Sequence, residues 1–334
     1  MTTLGVRIRD SHLDIKSMQE LVRLAERKGY ASVWLPESPG REVFTELTAL
    51  ALSSERIRIG TGIVPVFARL PTVAAAAMNT AATLAPGRVI LGLGIGHRPA
   101  MEGGHGVAFS RPFQHTREFT TIARQLLRQG EVSYTGEIYQ IKHFQFDAPP
   151  PQPVPVFLAA LRPQMLRLAG AVADGVLMNW ASLDYIPEAI THIRQGAEAA
   201  GRHPDEVEIA CYLRTCVTDQ PDVVETACRA QLARYGSMTY YQKYFERIGF
   251  KDEANAVAEA WQRDDREAAI AAVTLPMIQS TTIYGTAEIC RQRLQAYREA
   301  GLQHPIIAPF PIGEPIQETF VRTIEGCLVS DELP

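Results

Sequence analysis

The stretch that decides the fold is Arg88-Val89-Ile90-Leu91-Gly92-Leu93-Gly94-Ile95-Gly96-His97. Val89 to Leu93 is an apolar run of the length expected for a parallel strand that is covered on both faces. Glycine recurs at every second position from Gly92 to Gly96, so one face of the extended chain has no side chains and a ligand can approach its backbone. The G-x-G-x-G spacing is not the dinucleotide-binding fingerprint, and no helix pattern follows it directly. The alternative is a glycine-rich strand end that serves only tight packing.

Strand-like and helix-like segments alternate on both sides of this stretch, joined by short connections. Such alternation is typical of right-handed parallel β-α units, and eight of them predict a TIM-type (β/α)8 barrel with insertions, an α/β fold. A doubly wound open sheet is the alternative, but it needs a glycine turn after the first strand, where Arg9-Asp10-Ser11-His12 has none. The predicted strands cover residues 4–8, 31–35, 57–63, 89–93, 154–159, 175–178, 208–217 and 305–309.

Two segments are longer than a barrel connection needs. The connection after the fourth strand runs over residues 98–112, and a helix-rich insertion covers about 222–280. Residues 132–141 predict a hairpin about Thr135-Gly136. We expect one barrel domain over residues 1–334, with these segments as elaborations of the barrel.

Composition excludes several classes of partner. The net charge is −4, which gives no general attraction for nucleic acid or an anionic membrane surface. No apolar stretch reaches the length of a membrane span and the chain starts without a signal-peptide pattern, so we expect a cytoplasmic protein. The five cysteines form no C-x-x-C pair, and the eight histidines show no zinc-binding spacing, so no metal site is expected.

The ends of the predicted strands hold the candidate functional residues, since barrel enzymes build their sites there. His97 can titrate near neutral pH, although a lone histidine is more often a packed residue. The turn from Ala159 to Arg162 leads into a helix, so its amides could bind an anion; tight packing is the alternative. The set lacks the carboxylate pair of a glycosidase and the nucleophile elbow of a hydrolase. The polar strand-end residues are Arg7, Arg9, Glu37, Ser38, His97, Arg162, Asn179, Trp180 and Arg214.

Four motifs together resemble the bacterial luciferase-like superfamily of flavin and deazaflavin oxidoreductases, and most of all its branch that uses coenzyme F420. The resemblance extends from the first strand to Ala300-Gly301, which is nearly the whole chain. The motifs are Gly60-Thr61-Gly62-Ile63-Val64-Pro65, Leu91-Gly92-Leu93-Gly94-Ile95-Gly96-His97, Pro155-Val156-Phe157-Leu158-Ala159-Ala160-Leu161-Arg162-Pro163 and Ala173-Asp174-Gly175-Val176-Leu177.

The resemblance implies roles for individual residues. It places a non-proline cis peptide at Gly62-Ile63, behind the central ring of the cofactor. It makes Glu37 a residue that contacts the ring and His97 a residue that faces its reactive side, and both are candidate catalytic residues. It assigns the cofactor phosphate to the turn at 159–162. The cofactor-binding set that it implies is Glu37, Thr61, Gly62, Ile63, Gly94, Gly96, His97, Ala159, Ala160, Leu161, Arg162 and Met178.

Two departures narrow the function that the resemblance implies. Ser38 stands where relatives that act on sugar phosphates have a histidine, and Ala159-Ala160-Leu161-Arg162 lacks the serine-rich turn that the FMN-using branches commonly have. We therefore expect an F420-dependent oxidoreductase that exchanges a hydride between the deazaflavin C5 and a small organic substrate. The alternatives are an FMN-dependent monooxygenase and a flavin-binding barrel without catalysis. Small and apolar side chains on the helices at 41–54 and 72–84 predict a homodimer.

Overall fold

The structure is a computed structural model that describes residues 3–8 and 11–328. The strands are β1 (Gly5–Arg7), β2 (Ser32–Leu35), β3 (Arg58–Thr61), β4 (Val64–Pro65), β5 (Val89–Gly94), β6 (Glu131–Thr135), β7 (Gln140–Gln145), β8 (Val156–Ala159), β9 (Gly175–Asn179), β10 (Glu208–Val217), β11 (Thr282–Gly285) and β12 (His304–Ala308). The helices are α1 (Ile15–Arg27), α2 (Val43–Ala51), α3 (Pro71–Leu84), α4 (Pro112–Gln129), α5 (Pro163–Val172), α6 (Ile186–Ala199), α7 (Pro221–Gly236), α8 (Thr239–Arg247), α9 (Lys251–Gln262), α10 (Arg266–Ala271), α11 (Leu275–Thr281), α12 (Ala287–Glu299) and α13 (Ile316–Gly326).

Eight parallel strands close into a barrel, which confirms the predicted fold class. Their order is β1, β2, β3, β5, β8, β9, β10 and β12, and β12 returns to β1. The closing strand is β10, because Ala210 is in register with Leu177 of β9 on one side and with His304 of β12 on the other. Each predicted strand is found, and the structure shortens four of the eight by one to three residues.

The structure adds elements that the sequence pattern did not reveal. β11 pairs with residues 214–217 of β10. It lies on the same edge of β10 as β9, beyond the end of β9, which pairs with residues 208–212. The predicted third strand is interrupted at Gly62 and Ile63, so β3 pairs with the first half of β5 and β4 with its end. A five-residue π-helix, Ala100–Gly104, follows β5 within the long connection. The predicted hairpin is present as β6 and β7, with a turn wider than Thr135-Gly136.

The inside of the barrel is filled by large side chains that meet glycines on neighbouring strands. A Cβ added to Gly60 would lie 2.6 Å from the Trp34 ring, and one added to Gly175 would lie 2.4 Å from the Phe157 ring. These two glycines therefore make room for the aromatic rings, whose centroids are 5.3 Å apart. The inner cluster consists of Trp34, Ile90, Phe157, Leu177, Ala210, Tyr212, Ile306 and Ala308.

A chain of buried polar groups closes the amino-terminal end of the barrel. The Trp34 indole donates to the Ser32 hydroxyl at 2.7 Å, and Ser32 is 2.7 Å from Nε2 of His304. On its other side His304 Nδ1 lies 2.5 Å from a carboxylate oxygen of Glu208, which also pairs with Arg58. The order serine, histidine, glutamate is that of a hydrolase relay, but Ser32 and His304 are buried with no path to a substrate. The network is structural.

Helices α7 to α11 occupy residues 221–281, the place of the predicted insertion. Their tyrosines reach the carboxyl ends of the barrel strands, since Tyr241 accepts a hydrogen bond from Asn179 at 2.9 Å. The assignment of the whole chain to one domain stays a prediction. Among the described residues, none of the helices combines the length and the apolar character that a bilayer crossing requires.

Candidate active site

The carboxyl ends of the barrel strands meet at one end of the molecule, which we call the mouth. Residues that continue the inner face of their strand point toward the barrel axis there. Arg7, Asn179, Tyr212 and Arg214 are in that position, as are the backbone segments after β3 and β5. The mouth is therefore polar on the β9–β10 side and nearly free of side chains on the β3–β5 side.

The interruption between β3 and β4 forms the first wall of the mouth. The Thr61 hydroxyl is buried and exchanges two hydrogen bonds with the backbone of Gly92, so Thr61 fixes β3 to β5 rather than offering its hydroxyl to a ligand. A Cβ on Gly62 would lie 2.5 Å from the Tyr212 hydroxyl. Only glycine fits at that position.

The expected cis peptide at Gly62-Ile63 is not present. No peptide bond between described residues is cis. The trans backbone is held by neighbouring segments, because Gly62 N–H donates to the Leu35 carbonyl and Glu37 N–H donates to the Ile63 carbonyl. The interruption of the strand alone directs the Ile63 side chain toward the inner cluster of the barrel.

Ile63, Gly94 and Ala159 pack against one another at the carboxyl end of β5. A Cβ on Gly94 would be 3.1 Å from the Ile63 Cβ and 3.3 Å from the Ala159 Cβ, so these three residues are immediate neighbours. Gly96 continues the strand with a φ of +73°, a conformation that favours glycine. Gly94 makes room for Ile63, and the planar ligand that the sequence predicted against this strand end stays a prediction.

Glu37 lies beside the first wall and is fully engaged in an ion pair. The Arg69 guanidinium donates to both carboxylate oxygens, at 2.5 and 2.6 Å, and reaches Glu42 at 2.7 Å. Hydrogen bonds to Glu37 and Glu42 outweigh the effect of burial and raise the pKa of Arg69. Sequence reasoning missed Arg69, which stands 32 residues after Glu37 and shares no motif with it. Both carboxylate oxygens of Glu37 are therefore bonded to Arg69, which balances the charge of Glu37.

His97 follows the glycine run at the rim of the mouth. Its ring centroid is 6.4 Å from that of Tyr241, at an interplanar angle of 47°. Desolvation by surrounding protein groups and the positive charge of Arg234 both lower the pKa of His97. The imidazole is therefore neutral at neutral pH and can accept a proton.

The turn at 159–162 already has partners for its amides. Leu161 N–H donates to the Tyr240 hydroxyl at 3.1 Å, and Ala160 N–H donates to the Leu177 carbonyl. The Arg162 guanidinium lies 5.5 Å from the centre of the Tyr240 ring. An oxygen atom thus occupies the amide where the sequence predicted a phosphate, so a phosphate there would replace the Tyr240 hydroxyl.

Met178 is the one predicted binding residue that the structure places away from the mouth. It is fully buried and packs in the outer core between barrel and helices. Its neighbour Asn179 points inward instead, because successive side chains of a strand alternate between its two faces. The assignment of Met178 as a cofactor contact stays a prediction, which its position in the outer core does not support.

Tyr212 was missed, although a signal for it exists. Arg214 is a strand-end residue that the sequence identified, and Tyr212 lies two residues earlier on the same face of β10. Both are buried at the mouth. Period-two alternation along β10 therefore identifies Tyr212 once the inward direction of Arg214 is known.

Comparison with known proteins gives a consistent result over almost the whole chain. The sequence model of the luciferase-like monooxygenase family matches residues 1–304. The chain is 29% identical to the 5,10-methylenetetrahydromethanopterin reductase of Methanolobus tindarius, over 96% of this chain and 98% of that protein. The reductase of the same name from Archaeoglobus fulgidus is 30% identical over 89% of this chain and 90% of its own.

A solved structure agrees with the sequence comparisons. The coenzyme F420-dependent tetrahydromethanopterin reductase from Methanopyrus kandleri superposes with a TM-score of 0.83 and 25% identity, and the match covers 98% of both chains. The barrel, the interrupted third strand and the glycine-rich end of β5 are thus found in a chain that matches one sequence family over most of its length. The protein belongs to the luciferase-like monooxygenase family.

Proposed function

We propose that this protein is a coenzyme F420-dependent oxidoreductase that transfers a hydride between the deazaflavin and a small organic substrate. The unpaired buried polar atoms at the mouth, among them the Tyr212 hydroxyl and Arg214 Nη1, are the observation that supports this most directly. The relatives whose names include F420 or methylenetetrahydromethanopterin reductase support the same cofactor and reaction class.

The residues at the mouth fit a planar cofactor with a polar edge. A side chain on Gly94 would collide with Ile63, so glycine at this position lets Ile63 pack against the strand end. The Tyr212 hydroxyl and the Arg214 Nη1 are buried there without a hydrogen-bond partner. Buried polar groups are normally satisfied, so these atoms indicate a ligand.

When bound, the deazaflavin supplies the hydride chemistry. Protein residues position it and manage the proton. Ile63 and Gly94 would contact the ring, and Arg162, at the start of α5, would hold the cofactor phosphate. His97, neutral at neutral pH, accepts the proton that a hydroxyl substrate releases on oxidation, and returns it in the reverse direction. The Glu37–Arg69 pair fixes the connection after β2 against the first wall.

A binding comparison tests the cofactor. We expect purified apoprotein to bind F420 more tightly than FMN in a fluorescence titration, since the turn at 159–162 lacks hydroxyl donors for the FMN phosphate. Tighter binding of FMN, with oxygen-dependent turnover of reduced FMN, would replace the proposal by a monooxygenase. Saturation with F420 but no reduction by alcohols and no oxidation by enones or imines would favour a barrel without catalysis.

Arg162→Ala tests the phosphate site. Loss of a charge-assisted hydrogen bond is expected to weaken F420 by on the order of 1.5–3 kcal/mol. The matched control is Arg167→Ala, because Arg167 is on the same helix and bonds only to the exposed Gln195 in the described contacts. Equal F420 affinity in Arg162→Ala and Arg167→Ala would show that the cofactor phosphate does not bind at Arg162.

We further propose that the active form is a cytoplasmic homodimer. Support for the dimer comes from exposed apolar side chains on α2 and α3, at Leu52, Leu70, Val73 and Leu84. All five cysteines are free and buried, as expected for a reducing compartment.

A further inference from the structure

The β9–β10 side of the mouth contains four buried polar atoms that lack a hydrogen-bond partner. They are Asn179 Oδ1, Trp180 Nε1, Tyr212 Oη and Arg214 Nη1. Trp180 is 1% exposed, and Tyr212 and Arg214 are each 6% exposed, so solvent does not satisfy them in this conformation. An unsatisfied buried donor is destabilising, so several of them in one place indicate a ligand.

The four atoms belong to adjoining residues. Asn179 of β9 and Tyr212 of β10 are directly paired in register. Arg214 follows Tyr212 on the same face, and its guanidinium lies 4.6 Å from the centre of the Trp180 ring. The group therefore forms one subsite, which we call the Arg214 subsite.

The backbone at Trp180 is strained in a way that keeps this subsite assembled. Trp180 has a φ of +62°, in the left-handed region that a bulky side chain rarely adopts. Such a conformation costs on the order of 1–3 kcal/mol and persists only where the surroundings enforce it. The strain turns the indole under the guanidinium of Arg214, so the ring can support the charge as a cation–π partner.

Arg214 contributes a positive charge to the subsite. It forms no salt bridge with any carboxylate in the described part of the chain, in contrast to Arg69, which pairs with Glu37. Burial would raise the pKa of Tyr235, but the charges of Arg214 and Arg7, together with contacts of the Tyr235 side chain with Trp180 and Arg214, outweigh burial and lower it. Burial raises the pKa of Tyr212, so its hydroxyl stays protonated and is a donor.

The donor pattern specifies the ligand. Trp180, Tyr212 and Arg214 each contribute one unpaired N–H or O–H donor, that of Arg214 being charged, and the Asn179 amide oxygen is an unpaired acceptor on the same side of the mouth. The Tyr235 ring packs against Trp180 with 5.3 Å between the ring centroids. We infer that the Arg214 subsite binds a planar oxygen anion, either a carboxylate of the substrate or the ionised pyrimidinedione edge of the deazaflavin. Asn179 Nδ2 is held by Tyr241 at 2.9 Å, which fixes the amide with its oxygen available to an N–H of the ligand.

If the anion belongs to the deazaflavin, this inference rests on the proposed function; if it belongs to the substrate, it does not. The test therefore has one arm for each source. The first arm titrates F420 into wild type, Arg214→Met, Tyr212→Phe and the control Arg263→Met, whose arginine is exposed on the far insertion helix. The second arm titrates benzoate, with neutral benzyl alcohol as its matched control, into apoprotein and into F420-saturated protein. Binding is followed by calorimetry, so no turnover is needed.

If the anion belongs to the cofactor, Arg214→Met weakens F420 at least tenfold, and benzoate competes with F420 in wild type. If it belongs to the substrate, F420 affinity changes less than twofold, and benzoate binds the F420-saturated protein with an affinity that falls at least tenfold in Arg214→Met. Tyr212→Phe, which removes one oxygen, is expected to act in the same direction more weakly. The subsite assignment is overturned if both variants, folded by circular dichroism, bind F420 and benzoate within twofold of wild type. A protein that does not bind F420 at all fails the proposed function, while the benzoate arm on apoprotein still decides the subsite.

Discussion

At the scale of single residues, burial and neighbouring charges decide whether a polar side chain of the barrel is charged and whether it is hydrogen-bonded. His97 and Arg214 both lie at the mouth, but His97 is kept neutral by its surroundings whereas Arg214 is a buried charge without a carboxylate. His304 is buried at the opposite end and is satisfied on both ring nitrogens. One histidine is thus available for proton transfer and the other is fixed in a structural chain.

His97→Ala is expected to lower the rate of hydride transfer by roughly 10²- to 10⁴-fold with little change in F420 affinity, since a general base contributes about that much. Single-turnover reduction of bound F420 by an alcohol measures it. If His97 only lines the pocket, affinity falls instead and turnover of the loaded enzyme survives.

We expect Arg234 to influence the pH at which His97 exchanges a proton. Its positive charge helps to lower the pKa of His97, so Arg234→Met raises that pKa. Because the neutral imidazole is the base, the acid limb of the pH–rate profile for alcohol oxidation should move to higher pH. Lys243→Met, on the neighbouring helix and exposed, is the control and should leave the limb in place. If the acid limb of the pH–rate profile does not move in Arg234→Met, the limb does not report the titration of His97.

Glu208 makes barrel stability depend on pH. Hydrogen bonds from His304 and Arg58 outweigh the opposing effect of burial and lower the pKa of Glu208 to about 2 from 4.5. The unfolded chain then binds more protons than the native one in this window, so the contribution of Glu208 is complete above pH 4.5 and is lost as pH falls toward 2. Burial lowers the pKa of His304, which adds a loss of stability below its ordinary value of 6.5.

Denaturant midpoints measured from pH 7 to pH 3 test this dependence. Glu208→Gln should be less stable than wild type at pH 7, and the difference should shrink as the pH falls. The exposed Glu131 offers a control, since Glu131→Gln should parallel wild type throughout. A constant difference between Glu208→Gln and wild type would show that the carboxylate charge is not what stabilises the barrel.

At the scale of elements, periodicity predicted what depends on one strand or helix, and missed what depends on neighbours. α3 begins and ends where Pro71 and the apolar pattern place it, and β10 has the predicted limits. The sequence pattern did not predict β11, because its four residues are recognisable as a strand only through pairing with β10. It also did not predict the break at Gly62 or the ion pair of Glu37 with Arg69, because each depends on residues distant in sequence. The glycine run and His97 were identified at the mouth because they adjoin one strand.

The hairpin β6–β7 depends on a single buried carboxylate. Glu118 of α4 accepts hydrogen bonds from Glu137 N–H at 2.8 Å and Tyr139 N–H at 2.9 Å, and Ile138 N–H adds a third donor. Glu118→Gln keeps the size but places an N–H against one of these donors, so we expect a loss of about 1–3 kcal/mol of unfolding free energy. Hydrogen exchange should show faster exchange at the amides of residues 137–139, with the β8 and β9 amides unchanged. Unchanged protection at 137–139 would contradict this role.

At the scale of the whole molecule, the distribution of exposed apolar side chains is uneven. The exposed fractions of Leu52, Leu70, Val73 and Leu84 are 62, 59, 55 and 49%. Val73 and Leu84 are eleven residues apart, or about three turns of an α-helix, so they lie on one stripe of α3. The core of the barrel is on the other side, where Ala74, Ala75 and Met78 are buried. Exposed large apolar side chains on the solvent face of a helix are typical of an interface between copies of a chain.

Charges on this stripe should separate the dimer without unfolding the barrel. Light scattering at micromolar concentration is expected to give the mass of two chains for wild type and of one chain for the double variant Val73→Glu, Leu84→Glu, because the carboxylates would be buried without partners at the interface. Ile289 of α12 is 50% exposed and lies apart from the stripe, so Ile289→Glu is the control and should stay dimeric. The mouth does not include α3 side chains, hence the monomeric variant should bind F420 as wild type does if the site is complete within one chain. If the wild-type protein is monomeric, the dimer proposal is wrong. If the monomeric double variant no longer binds F420, the partner chain completes the site.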